Sequence, residues 1–264
     1  MGNSKSITLG ARMKEFYEDR FRYKLPRRTF TVIRIDGKAF HTYTKGLNRP
    51  FDEGLIKDMD NTTKYLCKNI MGVKFGYVQS DEISLILTDY DDLQTDMWFD
   101  GNIQKMCSVA ASMATSKFNQ LRMMRKCWEG LDIEGYLDMD DLEKFKLAEF
   151  DARVFQLPSI DEVVNYFIWR QQDATRNSIA SVAQTLYSSK QLNGVNSDQQ
   201  QEMIFQKGIN WNDYPVRMKR GGFIFKVPKT VTREGVYTIR STWENIECPI
   251  FSQDKNFITS KLPQ

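Results

Sequence analysis

Histidine is almost missing from this chain: His41 is the single one among 264 residues. One imidazole cannot build a zinc set and leaves little room for histidine catalysis, so triad chemistry and histidine-rich metal centres drop out first. Cysteine is nearly as sparse, and Cys67, Cys107, Cys127 and Cys248 form no Cys-x-x-Cys pair. A structural zinc site therefore has no spacing to rest on, and free thiols in this pattern fit a reducing compartment. There is no Gly-x-Ser-x-Gly elbow and no Gly-x-x-x-x-Gly-Lys-Ser/Thr phosphate loop. No run approaches the roughly 18 apolar residues of a membrane helix, and "MGNSKSITLG" lacks the apolar stretch of a secretory signal, so a cytoplasmic protein without membrane contact is expected. Met1-Gly2 with Ser6 fits the myristoylation pattern, a short match that recurs by chance. Charge of one sign is lacking too: 37 basic against 34 acidic residues leave a net +3, so attraction to nucleic acid must come from local clusters.

What is present reads as one main α/β domain. A hydrophobic content of 41% supplies a core, and no repeat or low-complexity linker marks a boundary. "ARMKEFYEDRFRYKL" suits an amphipathic helix with Met13, Phe16, Tyr17 and Phe21 on one side. "FTVIRID" is a strand ending at Asp36 with Gly37 as its breaker. Asp52 stands as the N-cap of a helix over 53–71, and "VKFGYVQSDEISLIL" reads as a hairpin around the polar "QSDE". The spacing predicts a helix over 98–121 and another, with Ser159 and Glu162 in capping-box positions, from "SIDEVVNYF" onward, with the strand "FDARVFQLP" before it. The acidic "EGLDIEGYLDMDDLEKFKLAE" lacks the order of a calcium loop and is expected to be a solvated insertion. We expect a boundary at 228, with 1–228 the catalytic domain with helical insertions and 229–264 a small β appendage.

Carboxylates carry the chemistry that the composition leaves open. Asp36 ends one strand and Asp81-Glu82 sit at the turn of a hairpin; if the strands are neighbours, the acids converge at one edge. Convergent aspartates beside a main-chain carbonyl suit Mg²⁺, which prefers oxygen ligands and keeps positions open for phosphates. Gly37 has no Cβ to hold its carbonyl away from an ion. The alternative is that Asp36 and Asp81 are ordinary turn residues. Adjacent residues on a strand face opposite sides, so Asp81 and Glu82 need not both bind metal.

Seven segments in order, "RIDGKAFHTYT", "RPFDEGL", "YVQSDEISLIL", "WFDGNIQKMCSVAASMATSKF", "FDARVFQLP", "WRQQDATRNSI" and "INWNDYPVRMKRG", resemble the tRNA-His guanylyltransferases and their bacterial, archaeal and phage relatives, the Thg1-like 3′-to-5′ RNA polymerases. The resemblance covers roughly 11–225. It implies a polymerase-like palm, an antiparallel sheet with packed helices, holding two Mg²⁺ ions through Asp36, Asp81 and the Gly37 carbonyl, with Glu82 as the acidic neighbour counted among the catalytic residues. It also implies nucleotide contacts from Lys38, His41, Arg49, Asp52, Ser80 and Lys105. Arg49 stands where the family often has lysine, a planar fork in place of a point charge. For His41 a structural or stacking role is the alternative, and for Lys105 a solvated helix position. Arg153, Asn177, Arg217, Lys219 and Arg220 match RNA or triphosphate contacts; the bland reading is a strand-end arginine for Arg153 and a solvated basic turn for the last three.

One departure sets the branch. The eukaryotic enzymes carry His-Ile-Asn-Asn where this chain reads Thr175-Arg176-Asn177-Ser178, keeping only Asn177. That resembles the Thg1-like members, which copy the opposite strand to repair 5′-truncated tRNAs. The implied partners are tRNA, including tRNA-His, ATP, GTP and other NTPs, and further copies of the chain in a homotetramer. Three alternatives stand beside this: guanosine addition to tRNA-His, another palm-fold NTP enzyme such as a cyclase, and an RNA-binding protein with a vestigial site.

Overall fold

The computed structural model describes residues 7–129, 145–233 and 236–263, and most of the acidic insertion lies outside them. Six strands form one antiparallel sheet in the order β4-β1-β3-β2-β5-β6. They are β1 (Phe30–Gly37), β2 (Val73–Gln79), β3 (Glu82–Leu87), β4 (Phe150–Leu157), β5 (Gly222–Arg233) and β6 (Val236–Ile246). The expected α/β architecture is the observed one.

Both faces of the sheet are covered, which is why β3 is buried along its whole length although its sequence alternates little. Strand alternation divides the side chains between two cores. Ile33, Ile35, Ile83 and Leu85 pack with α1 (Glu53–Asn69) and α2 (Ile103–Glu129). Val32, Phe75, Tyr77 and Ile86 pack on the other face with Val163 and Phe167 of α3 (Ile160–Leu186). Helix starts follow side-chain capping: Asp52 accepts the Leu55 N–H at 2.7 Å, and Ser159 accepts that of Glu162 at 3.3 Å. Helix α2 begins five residues later than its pattern suggests, because 98–101 turns as a separate short helix with Phe99 and Asp100 at positive φ.

The expected boundary at 228 falls inside β5. That strand pairs with β2 over Phe75–Val78, and Cys248, Phe251, Ile258 and Leu262 beyond it are buried against α3, so the last residues complete the core instead of appending to it. The N-terminal segment also departs from expectation. It winds as Leu9–Met13, Lys14–Glu18 and Asp19–Phe21 in three helix types, and Met13, Phe16, Tyr17 and Phe21 are all exposed. Among the described residues, no helix is long and apolar enough to cross a membrane.

Candidate active site

The hairpin between β2 and β3 is closed by two residues, since Gln79 and Glu82 are still cross-strand partners. Ser80 makes the bend at φ 46°, a left-handed conformation that costs a non-glycine residue energy and recurs at functional sites. Strand β1 lies beside β3 with Asp36 opposite Glu82, so the turn sets Asp81 next to the end of β1. The strand-neighbour condition for convergence of the carboxylates is thus met. Asp36, Asp81 and Glu82 line one cleft of about 390 Å³ between the sheet and α3.

Charge in this cleft is unbalanced. Removal from water pushes the Asp81 carboxyl up to about 6, its own hydrogen bonds oppose the shift, and the negative charges of Asp36 and Glu82 add to it. Glu82 is buried, and both of its ion pairs fall on one oxygen: Oε2 accepts a hydrogen bond from Arg170 Nη1 at 2.7 Å and lies 2.9 Å from Arg34 Nη2. Its Oε1 has no hydrogen-bond partner among the described residues. Desolvation raises the Glu82 pKa against the pull of Arg170 and Arg34. Arg34 also stands 3.9 Å from Asp36. Glu82 therefore ties β3 to α3 and to β1 behind the two aspartates. Gly37 is glycine for a further reason, because a Cβ there would lie 2.2 Å from the Phe40 ring.

A smaller cavity of about 130 Å³ opens beside this cleft. Phe51, Leu55, Ile56 and Met218 give it apolar walls, and Asp52 stands at its edge. An apolar slot next to crowded carboxylates matches a planar base joined to a charged tail.

The tRNAHis guanylyltransferase family, Thg1, matches residues 10–158, more than half of the chain. The chain belongs to the Thg1 family. A bacterial Thg1-like protein solved with ATP is 45% identical, with a TM-score of 0.80 over 96% of this chain and 98% of that one. A structure of a bacterial Thg1-like protein with GTP gives 44% identity, a TM-score of 0.76 and coverage of 96% and 97%. The tRNA(His) guanylyltransferase of Saccharomyces cerevisiae is 25% identical with a TM-score of 0.61, over 85% of this chain and 94% of the other. The chain is accordingly a nucleotidyltransferase, and its sheet and helices are those of the Thg1 structures.

Placed on this Thg1 scaffold, the expected site residues divide. Asp36, Asp81, Glu82, Ser80 and Asn177 line the carboxylate cleft, while Asp52, Ser80, Asn177 and Arg217 line the apolar cavity. Arg217 is held as well as exposed to the cavity, since its Nε and Nη2 both donate to Asp60 Oδ1, at 2.9 and 2.6 Å. Arg153 lies opposite Arg34 across β4 and β1 on the same sheet face, 3.7 Å from Asp151. Arg49 is exposed beside the Pro50 wall.

Others point elsewhere. Lys38 is bound to Glu149 at 2.5 Å, which raises its pKa, and it lines a separate groove with Ser112 and Asp151. His41 is exposed and bonds Thr42 at 3.0 Å. The Lys105 ammonium lies over the Phe99 ring; its neighbour Met106 lines a small cavity with Thr31 and Leu87, at the end of β1 and β3 remote from Asp36 and Glu82. The basic trio is split because α5 (Val216–Arg220), which follows α4 (Ser197–Gln206), rotates successive side chains by about 100°. Arg217 reaches the cavity and Arg220 a cleft behind α3, whereas Lys219 is buried and donates to the Asn212 carbonyl, its pKa lowered by desolvation.

Arg34, Arg170 and Gln79 are the site residues that sequence reasoning missed. Arg34 carried a readable signal, two positions before Asp36 on one strand face. Arg170 gave none, because its partner is 88 residues away.

Proposed function

We propose that the chain adds nucleotides to the 5′ end of tRNA by copying the opposite acceptor strand, and so repairs 5′-truncated tRNA. The observation that carries the reading is the junction of an apolar cavity with a cleft that brings Asp36 and Asp81 together. Loss of all but Asn177 from the His-Ile-Asn-Asn motif favours templated repair over dedicated guanosine addition to tRNA-His.

Paired carboxylates are what a divalent cation binds, and the third acid of the cleft, Glu82, is taken by Arg34 and Arg170. Two carboxylates and a carbonyl leave coordination positions for phosphate oxygens, which fits Mg²⁺. Asp36, Asp81 and the Gly37 carbonyl would hold two Mg²⁺ ions, which when bound polarise the phosphate under attack and offset the triphosphate charge. Asp52 and Ser80 flank the base and the triphosphate of the bound ATP, GTP or other NTP, and Arg49, Arg153 and Asn177 meet nucleotide or RNA phosphates. The apolar walls hold the base, and the reaction joins the 3′-hydroxyl of the incoming NTP to an activated 5′ phosphate, expelling AMP or pyrophosphate. Glu82, fixed by Arg34 and Arg170, keeps the end of β3 in place behind the aspartates.

A homotetramer is part of this reading. It is supported by the apolar side chains Leu9, Met13, Phe16, Tyr17 and Phe21, which are all exposed.

A primer-extension assay on a tRNA lacking its first nucleotide, with each NTP in turn, tests the proposal. Addition of the nucleotide complementary to the facing acceptor base is the expected outcome. Guanosine added regardless of that base would move the chain to the tRNA-His branch, and a cyclic nucleotide formed without RNA would sink both.

A further inference from the structure

The apolar cavity and the carboxylate cleft share a seam, lined on both sides by Gln79, Ser80, Asn177 and Ser181. A nucleotide with its base among Phe51, Ile56 and Met218 and its phosphates at Asp36 and Asp81 puts its ribose at that seam, a placement that rests on the nucleotide reading above. Three of the four seam residues need no ligand. Ser80 and Asn177 are exposed to water, and Ser181 donates to the Asn177 carbonyl at 2.8 Å.

Gln79 differs. Only 5% of it is exposed, and its amide Oε1 is sealed from solvent with no hydrogen-bond partner among the described residues. The cause lies in the sheet: Gln79 is the cross-strand partner of Glu82, so its side chain shares the face covered by α3. The guanidinium groups of Arg34 and Arg170 pair with Glu82 Oε2 through their Nη atoms, and although the Nε of each is unmatched among the described residues, neither bonds Gln79. A buried polar group without a partner is rare in a folded chain, and one that lines a cavity is completed by what binds there.

We propose that the Gln79 carboxamide recognises the ribose, binding the 2′-hydroxyl of the nucleoside triphosphate and making the site prefer ribonucleotides to 2′-deoxyribonucleotides. A hydroxyl both donates and accepts, so the pairing is satisfied whichever way round the amide stands. The 3′-hydroxyl is the attacking group in the proposed reaction and has to stay free to reach an activated 5′ phosphate, which leaves the 2′-hydroxyl for the amide. A deoxynucleotide leaves the amide buried and unpaired, which is how a site built around a hydroxyl rejects the analogue that lacks it.

Calorimetric titration of the full chain with ATP, 2′-deoxy-ATP and 3′-deoxy-ATP, in Mg²⁺ and without RNA, tests this apart from catalysis. Wild type is expected to bind ATP and 3′-deoxy-ATP roughly tenfold more tightly than 2′-deoxy-ATP. In Gln79→Met, which keeps length without the amide, the ratio of ATP to 2′-deoxy-ATP affinity falls to about one by the same reasoning. Should that variant fail to fold, Gln79→Asn, whose amide is one methylene short, is expected to reduce the same ratio. An unchanged ratio in a folded variant, or a wild type that discriminates at the 3′ and not the 2′ position, overturns the inference and leaves the nucleotide reading standing. A wild type that binds no nucleotide overturns both.

Discussion

Two buried acids in this protein are each gripped by two arginines, yet the clusters are finished to different degrees. Asp58, between α1 and α2, uses both oxygens: Oδ2 accepts Arg122 Nη1 at 3.2 Å and Arg125 Nε at 3.0 Å, and Oδ1 accepts Arg125 Nη2 at 2.6 Å. Glu82 takes both arginines on one oxygen and leaves the other bare, and Arg34 Nε and Arg170 Nε are also unmatched among the described residues. The first cluster is a closed clamp between helices. The second borders a cleft, and its spare polar atoms lie where a substrate with its own polar groups would come.

The sharpest way to break this contrast is at the open end. Asp36→Asn is expected to lower nucleotide addition by about a thousandfold in single-turnover assays while tRNA binding persists. A variant that keeps its rate would remove the catalytic meaning of the cleft. At the closed clamp, Asp58→Asn takes the carboxylate charge from the buried Arg122 guanidinium and from half-buried Arg125, and is expected to cost about 3 kcal/mol in urea unfolding. Glu82→Gln should cost less, about 1–2 kcal/mol, because Arg170 keeps Asp173 at 3.4 Å and Arg34 keeps Asp36 at 3.9 Å. Equal losses for the two substitutions would show that the clusters do the same job.

The smallest effect has the opposite sign. Burial and like charge push Asp81 up to about 6 from 3.8, so between these values the folded chain binds more protons than the unfolded one, and stability falls as pH rises through that window. Asp81→Asn abolishes this loss. In metal-free protein at pH 8 it is expected to stabilise by on the order of 1 kcal/mol, after allowance for solvent screening, and the gain disappears below about pH 4. A destabilised variant at pH 8 would mean that the Asp81 carboxylate is compensated within the chain.

The same contrast explains what could be read beforehand. Asp36, Gly37 and Asp81 were legible because strand ends and a two-residue turn are local, and pairing them needed only that β1 neighbour β3. Glu82 was legible as an acid but not as a clamp, since Arg170 arrives from a helix whose rotation over the sheet depends on all of the apolar contacts of Val163 and Phe167. Met13 to Phe21 show an amphipathic pattern without saying what it packs on, and in the structure its apolar side chains stay exposed. Lys219 was expected to meet RNA or triphosphate because it stands in a basic cluster, and its burial was not legible, since its carbonyl partner at Asn212 and the Trp211 ring 5.6 Å away draw the ammonium inward.

Asp60 has a bearing on the order in which this site comes into being. Its Oδ1 holds Arg217, 157 positions along the chain, and its Oδ2 holds Asn245, 185 positions along, so one carboxylate on α1 ties down both the basic turn and the last strand. The hairpin that carries Asp81 closes over two residues and can form early, but the wall that Arg217 gives the apolar cavity waits for contacts of very high sequence separation, which are slow to form. The carboxylate end of the site is thus built from near neighbours in the chain, and the Arg217 wall of the apolar cavity from residues that meet only across most of the fold.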